Sequence, residues 1–329
     1  MEEARSEWKV AGSAFPTASR LYLVKRAQKS RAFCTAAGLF LFKLLRFADS
    51  HRPTMINPPM TELSDVKDFW NKASCGEVYA GEGDERQRYA NVSRLRYELE
   101  PYLLTFAEFD KVNGKDVLEI GVGMGSDHQM LAMANPKRLR GIDLTERALE
   151  HTRTRFAAFG LTSELSTGNA EALSFPDATF DHVYSWGVIH HSPNTAQAAK
   201  EILRVLRPGG TAKVMIYHRF AAVGLMLWVR YALLRGRPWM SLDKIYAQFL
   251  ESPGTKAYNV SEARLLFTGA SQIDARAIPG LGDLLQGEVG QRHRGWLLTT
   301  AKKVWPRWLI RAIARHINFG GVLLIDIMK

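Results

Sequence analysis

The sequence predicts an α/β domain built on a mostly parallel sheet of seven strands, the last one antiparallel, with helices on both faces. Three observations lead there. Short apolar runs alternate along the chain with segments of helical periodicity. At residues 115–127, KDVLEIGVGMGSD, a strand runs through a glycine turn into a helix. Residues 195–206 form an amphipathic helix that Arg207-Pro208-Gly209-Gly210 stops and turns into a further strand, 211–217.

Residues 116–120 are an apolar run with a β-branched end, the length of one buried strand. Gly121, Gly123 and Gly125 supply the turn, because a residue without a Cβ lets the backbone bend sharply and approach a ligand closely. Ser126 and Asp127 open the helix, with Ser126 as N-cap. Such a corner at the carboxyl edge of a parallel sheet binds a nucleotide. Glu119 bears on which one. A dinucleotide fingerprint would place its third small residue at 126, which is serine here, and a carboxylate at the strand end repels a pyrophosphate. It suits a ligand with an ammonium group and no phosphate. The E-x-G-x-G-x-G text of residues 119–125 resembles the first motif of the class I S-adenosylmethionine-dependent methyltransferases. That resemblance implies a Rossmann-like fold and S-adenosyl-L-methionine as cofactor.

Composition sets the frame. A chain of 329 residues with 46% hydrophobic content can bury the core of one α/β domain of about 200–250 residues with appendages. Two cysteines, Cys34 and Cys75, exclude a disulfide scaffold and a cysteine-rich zinc site, and the chain reads as cytoplasmic. His182, His190 and His191 lack companion carboxylates or cysteines at ligand spacing, so no metal is expected. Residues 1–59 hold ten Lys+Arg against four Asp+Glu, and residues 281–329 hold eight against three, so the two ends carry the whole net charge of +11. A basic end can meet anionic lipid, nucleic acid or only water.

Five regions follow. Residues 1–59 are a basic N-terminal extension, either disordered or amphipathic; the apolar run 32–42 is too short for a bilayer span, which needs about 20 residues. Pro53, Pro58 and Pro59 mark its boundary. Residues 60–110 are a helical cap whose text, FWNKASCGE then RLRYELEPYLLTFAEFD, resembles the lead-in of one group of small-molecule methyltransferases. Phe69, Trp70, Tyr89 and Tyr97 either cover the methionine end of the cofactor or serve as helix core. Residues 111–218 are the cofactor-binding core, 219–272 a substrate lid with the helix before strand six, and 273–329 the C-terminal strands with a basic, Trp-rich helical insertion between them.

Within the core, residues 138–144 read as the second strand. Asp143 falls 22 residues after Gly121, the offset at which one carboxylate accepts both ribose hydroxyls, with Leu144 beside it; the alternative is a helix cap with Thr145. In TGNAEALSFPDATFD, Asn169, Ala170 and Glu171 stand where the family text resembles G-D-A-E, which implies adenine recognition by the Asn169 side chain and the following backbone. Residues 180–186 are the fourth strand. Ser185-Trp186-Gly187-Val188 has none of the Asn/Asp-Pro-Pro-aromatic signature of amino-group methyltransferases, which favours an oxygen, carbon or sulfur acceptor. His190 and His191 are the candidate bases, His191 preferred.

The helix 221–234, AAVGLMLWVRYALL, and residues 239–250 are the candidate lid; 261–267 is the helix before strand six at 273–278, and 321–328 the last strand. Trp296, Trp305 and Trp308 alternate with Lys302, Lys303, Arg307, Arg311 and Arg315, which suits either a helix packed on the sheet or peripheral contact with an anionic membrane; no nucleic-acid partner is expected. The whole resembles the group containing quinone-biosynthesis and natural-product tailoring methyltransferases, which implies O- or C-methylation of a small, lipophilic acceptor. The rivals are an NAD(P)-dependent oxidoreductase and a non-catalytic methyltransferase-like binding protein.

Overall fold

A computed structural model of the chain describes residues 62–286, 302–303 and 305–329. The expectations for residues 1–59 and for Trp296 lie outside the described residues. Seven strands, β1 (Asp116–Ile120), β2 (Arg138–Asp143), β3 (Glu164–Thr167), β4 (Phe180–Trp186), β5 (Leu206–Tyr217), β6 (Gln272–Ile278) and β7 (Val322–Met328), form one sheet in the order β3-β2-β1-β4-β5-β7-β6. The pairs among β1 to β5 are parallel, and β7 runs antiparallel to both β5 and β6. This is the mostly parallel Rossmann-like sheet the sequence predicts.

The strand order reverses at β1, whose neighbours are β2 and β4, so the connections diverge and a crevice opens at the carboxyl edge. Register brings the functional text level there, since Glu119 lies opposite both Gly141 and Tyr184. All five residues of β1 are buried, as a central parallel strand covered on both faces requires.

Eleven helices stand among the described residues. In chain order they are α1 (Leu63–Lys72), α2 (Glu85–Leu99), α3 (Tyr102–Ala107), α4 (Ser126–Met133), α5 (Glu146–Phe159), α6 (Thr195–Val205), α7 (Ala222–Tyr231), α8 (Leu242–Phe249), α9 (Val260–Leu266), α10 (Leu281–Leu284) and α11 (Arg307–Ala314). Helix α6 shows why its segment is helical: the Asn194 side chain accepts from the Gln197 N–H at the start, and Ala198, Ala199, Ile202 and Val205 form one buried stripe. Burial of Ile202 and Val205 contributes about 2 kcal/mol each.

Several boundaries differ from expectation for identifiable reasons. The N-cap of α4 is Gly125, not Ser126, because the turn reaches the helix through a left-handed residue with φ +73°. Helix α9 starts one residue earlier than expected, with Asn259 as cap: Asn259 and Glu262 form a reciprocal capping box. Strand β5 begins at Leu206 rather than 211, since Leu206 already pairs with Phe180 across a register shift. The cap region holds three α-helices, α1 to α3, with Pro101 separating α2 from α3.

The principal core lies between the sheet and its helices, around Leu118, Val183, Val214, Ile202 and Ile325. A second core joins the lid to the C-terminal helix: Trp228 of α7, Leu242, Ile245 and Tyr246 of α8, Ile310 and Ile313 of α11, and Phe319. The basic, Trp-rich segment is thus folded onto the protein where it is described. The Trp305 indole N–H donates to the Asp283 carbonyl at 2.7 Å and Arg307 Nε to the Leu284 carbonyl at 2.7 Å, while Trp308 is exposed. No helix among the described residues is long and apolar enough to cross a membrane.

Candidate active site

A cavity of about 650 Å³ opens along the carboxyl edge of the sheet, from the glycine corner to the lid. Glu119, Gly121, Gly123, Asp143, Leu144, Asn169, Ala170, Trp186 and His191 line it. Gly125, Glu171, Ser185 and His190 do not. Each of the four has another position. A Cβ on Gly125 would stand 2.9 Å from Thr152 Oγ1, so this glycine faces α5 and permits the helix to approach the turn. Glu171 is turned away from the crevice, where it accepts from the Ser192 hydroxyl and from the Asn194 N–H at 2.7 Å, tying the segment after β3 to the start of α6. Ser185 is fully buried inside β4, and His190 is fully buried with both ring nitrogens lacking a hydrogen-bond partner.

The corner has the geometry of a ligand cradle. Gly121, Gly123 and Gly125 all have positive φ. Nothing lies within 4 Å of where a Gly123 Cβ would stand, so the peptide there is open to the cavity. Asp143 spans turn and helix: one oxygen accepts from the Gly123 N–H at 3.2 Å, the other from the N–H and hydroxyl of Thr145, each at 2.9 Å. Thr145 in turn caps α5, so ligand-facing and capping readings of this pair coexist. Burial raises the Asp143 pKa, against the lowering effect of those bonds.

Glu119 is almost fully buried and lies 2.8 Å from His128 Nδ1, whose Nε2 is 2.7 Å from Ser163 Oγ. Burial, then Asp127 and Asp143, drive the Glu119 pKa upward, and burial lowers that of His128 to about 3. The contact is therefore a hydrogen bond between a carboxyl and a neutral imidazole rather than an ion pair. Asn169 Oδ1 already accepts from the Glu171 N–H at 2.9 Å, which fixes the side chain and leaves its second lone pair as the acceptor that adenine recognition would need.

Two further buried groups hold the corner, in roles not assigned to them from the sequence. Arg155 on α5 is fully buried, yet it hydrogen-bonds to neutral groups: the Met124 and Tyr89 carbonyls, the Ser93 and Ser126 hydroxyls and the Gln129 side chain, at 2.7 to 3.2 Å. A guanidinium is the group that can meet five acceptors in one plane, and here it clamps the turn from behind. Burial lowers its pKa to about 10. Asp127, in the first turn of α4, takes two bonds from Arg96 at 3.0 and 2.6 Å and one each from the Tyr97 and Tyr184 hydroxyls. Tyr97 and Tyr89 thus belong to the scaffold; among the four aromatics considered for the cap, Trp70 alone lines the cavity.

The far end of the cavity is an aromatic chamber beside the segment 219–272. Trp70, Tyr217, Tyr246, Leu250, Leu281 and Val322 supply apolar wall. His191, expected as a base, has its Nδ1 2.8 Å from Ser252 Oγ and 3.1 Å from Thr255 Oγ1, and its Nε2 3.5 Å from Glu251 Oε2. Burial, then Lys256, lowers its pKa to about 3, so it stays neutral at ordinary pH. Glu251 also accepts from the Tyr217 hydroxyl at 2.6 Å. Neither Glu251 nor Tyr217 could be singled out by motif: Tyr217 ends β5, and the segment after α8 brings Glu251 to it from elsewhere in the chain. Among the described residues no group of three or more His, Cys, Asp or Glu could hold a metal ion.

Comparison with known proteins agrees with this geometry. Residues 117–210 match the family described as "Methyltransferase domain". A fatty-acid O-methyltransferase of Mycolicibacterium smegmatis is 39% identical over 116 residues, 35% of this chain and 41% of that protein. The 2-methyl-6-phytyl-1,4-hydroquinone methyltransferase of Synechocystis is 36% identical over 182 residues, 55% of this chain and 56% of that protein. A demethylmenaquinone methyltransferase of Tropheryma whipplei is 30% identical over 153 residues, 45% and 62% of the respective chains. The chain thus spans between 41% and 62% of the lengths of these relatives. Residues 117–210, which carry the glycine corner and the acid after β2 on this sheet, are thus similar to the methyltransferase domain family.

Proposed function

We propose that the chain transfers a methyl group from S-adenosyl-L-methionine to an oxygen or carbon of a small, lipophilic acceptor. The observation that carries this is one continuous cavity running from the Gly121–Gly123 corner to an aromatic chamber under the lid. In this reading the Asp143 carboxylate receives the ribose hydroxyls, Asn169 and Ala170 meet the adenine, and Glu119 with Trp186 lies toward the methionine end. The bound cofactor supplies an electrophilic methyl on a sulfonium. The chain contributes alignment, exclusion of water and disposal of a proton. The relatives' names, with a fatty acid, a hydroquinone and demethylmenaquinone among them, support a small acceptor. Mass spectrometry of reactions with hydroquinones, phenols and fatty acids tests the proposal. Appearance of S-adenosylhomocysteine with a product heavier by one methylene is the expected result, and absence of both with every acceptor would overturn it.

We also propose peripheral contact with an anionic membrane. Its support is the exposure of Trp308 beside Arg311, and of Leu233, Leu234 and Trp239 in a loop that also holds Arg235 and Arg237. Co-sedimentation with phosphatidylserine vesicles at low salt checks it. Binding that salt and Trp239→Ala both weaken is expected; equal sedimentation with uncharged vesicles would contradict it.

A further inference from the structure

The ionisable groups lining the cavity are nearly all of one kind. Among the described residues they are the carboxyls of Glu100, Glu119, Asp127, Asp143, Glu251 and Asp283, against Arg96 as the one Lys or Arg. Arg96 is committed to Asp127 through two bonds and lies 3.7 Å from Glu100. His191 and His218 lose their charge to burial, with pKa values of about 3 and about 4. Within the chamber no described cation is left to receive an acceptor carboxylate, and bringing an anion among carboxyls is repulsive. An acceptor that arrives neutral and leaves its proton behind avoids that cost.

Glu251 is placed for that proton. It lines the chamber, with its side chain 16% exposed, and Tyr217 and His191 hold its Oε2 at 2.6 and 3.5 Å. Burial and the nearness of Glu251 drive the Tyr217 pKa upward, so the phenol remains a donor and fixes the carboxylate. Ser252 and Thr255, both fully buried, anchor the other side of His191, and Lys256 Nζ donates to the Ser192 carbonyl at 2.7 Å. The lid loop that carries Glu251 is thereby fastened to the loop after β4.

We propose that Glu251 receives the proton of a neutral hydroxylated aromatic acceptor, a phenol or hydroquinol, and that the chamber selects such an acceptor over a fatty-acid carboxylate. This rests on the methyl-transfer reading. The acceptor oxygen releases its proton to Glu251 as it bonds to the methyl carbon; the bond from that carbon to the sulfonium sulfur breaks, and its electron pair stays on sulfur as a neutral thioether. Glu251 would touch the acceptor, whereas Tyr217 and His191 are positioning residues.

The test joins binding to turnover. Calorimetry with the protein saturated in S-adenosylhomocysteine should show heat with a methylated hydroquinone and none with myristate. Glu251→Gln should keep its affinity for S-adenosylmethionine and for the methylated hydroquinone, and lose about 10²–10⁴-fold in rate on the hydroquinone. Tyr217→Phe should shift the pH profile on the hydroquinone without changing cofactor affinity. Tighter binding of myristate than of the methylated hydroquinone, or a wild-type rate for Glu251→Gln on the hydroquinone, would overturn the proposal. So would cofactor binding with no hydroquinone binding, which leaves the methyl-transfer reading standing. No cofactor binding by the wild type would remove both together.

Discussion

Gly121 and Gly123 occupy one turn and answer different needs. A Cβ on Gly121 would stand 2.2 Å from a Val188 methyl at φ +82°, whereas a Cβ on Gly123, at φ +52°, would project into open cavity. Gly123→Ala is therefore expected to cost about 1–2 kcal/mol of stability from backbone conformation, and to weaken cofactor binding by occupying its space. Gly121→Ala should lose more stability, because contact with Val188 adds to the same backbone cost. Chemical denaturation of the two variants side by side checks the order. Arg155→Lys should be destabilised by about 2 kcal/mol or more, since an ammonium cannot reach the same five acceptors. Titration belongs to this scale too. His182 on β4 is buried, its Nδ1 is 2.9 Å from Thr211 Oγ1, and burial lowers its pKa from 6.5 to about 3. Between those values the unfolded chain binds a proton that the folded chain does not. Stability is then full above pH 6.5 and falls as the pH drops toward 3, by about 2 kcal/mol at pH 5 from this residue alone. A denaturation midpoint lower at pH 5 than at pH 7, with a shallower pH slope in His182→Gln, is expected; a midpoint independent of pH would contradict it.

At the scale of elements, the lid is held by close packing as well as by burial. Gly224 in α7 lies against Tyr246 of α8, whose hydroxyl would be 2.0 Å from an added Cβ and donates to the Arg219 carbonyl at 2.8 Å. Alanine would ordinarily stabilise a helix interior by about 1 kcal/mol over glycine. Here that gain is smaller than the cost of displacing a buried, bonded tyrosine, so Gly224→Ala should lower the melting temperature and weaken acceptor binding while leaving cofactor affinity unchanged. Elements were the most legible part of the sequence. Strands β1 and β4 have the expected bounds, because five and seven residues between turn signals allow little else. Their ends were legible where one residue type settles the geometry, as at Gly121. They were not where a neighbour takes over a role: Gly125 takes the cap from Ser126 because it alone of the two adopts positive φ, and the reciprocal bonds of Asn259 with Glu262 start α9 one residue early.

The whole molecule explains why one half of the site could be read and the other could not. Residues lining the cavity at the glycine corner follow strand ends at fixed offsets, so sheet register brings Glu119 and Asp143 to one edge, with Asn169 two residues past β3. Glu171 shows the limit of that logic: its offset fits, but its side chain turns to Ser192 and Asn194. The acceptor side depends on tertiary packing. Glu251 meets Tyr217 and His191 only because the lid folds onto α11 and forms a second core with it, and no local pattern encodes that meeting. Since β7 enters antiparallel between β5 and β6, the last strand also reaches the chamber, through Gly321 and Val322. Deletion of α11 should therefore impair acceptor turnover more than cofactor binding.

The central claim is that the glycine corner and Asp143 bind S-adenosylmethionine. Calorimetric titration of that ligand, and of NADH, into the wild type and Asp143→Ala tests it most directly. Micromolar binding of S-adenosylmethionine by the wild type, weakened at least about tenfold in the variant by loss of more than about 1.4 kcal/mol, with no heat from NADH, is the expected result. Binding of NADH in its place, or an S-adenosylmethionine affinity indifferent to Asp143, would contradict the account.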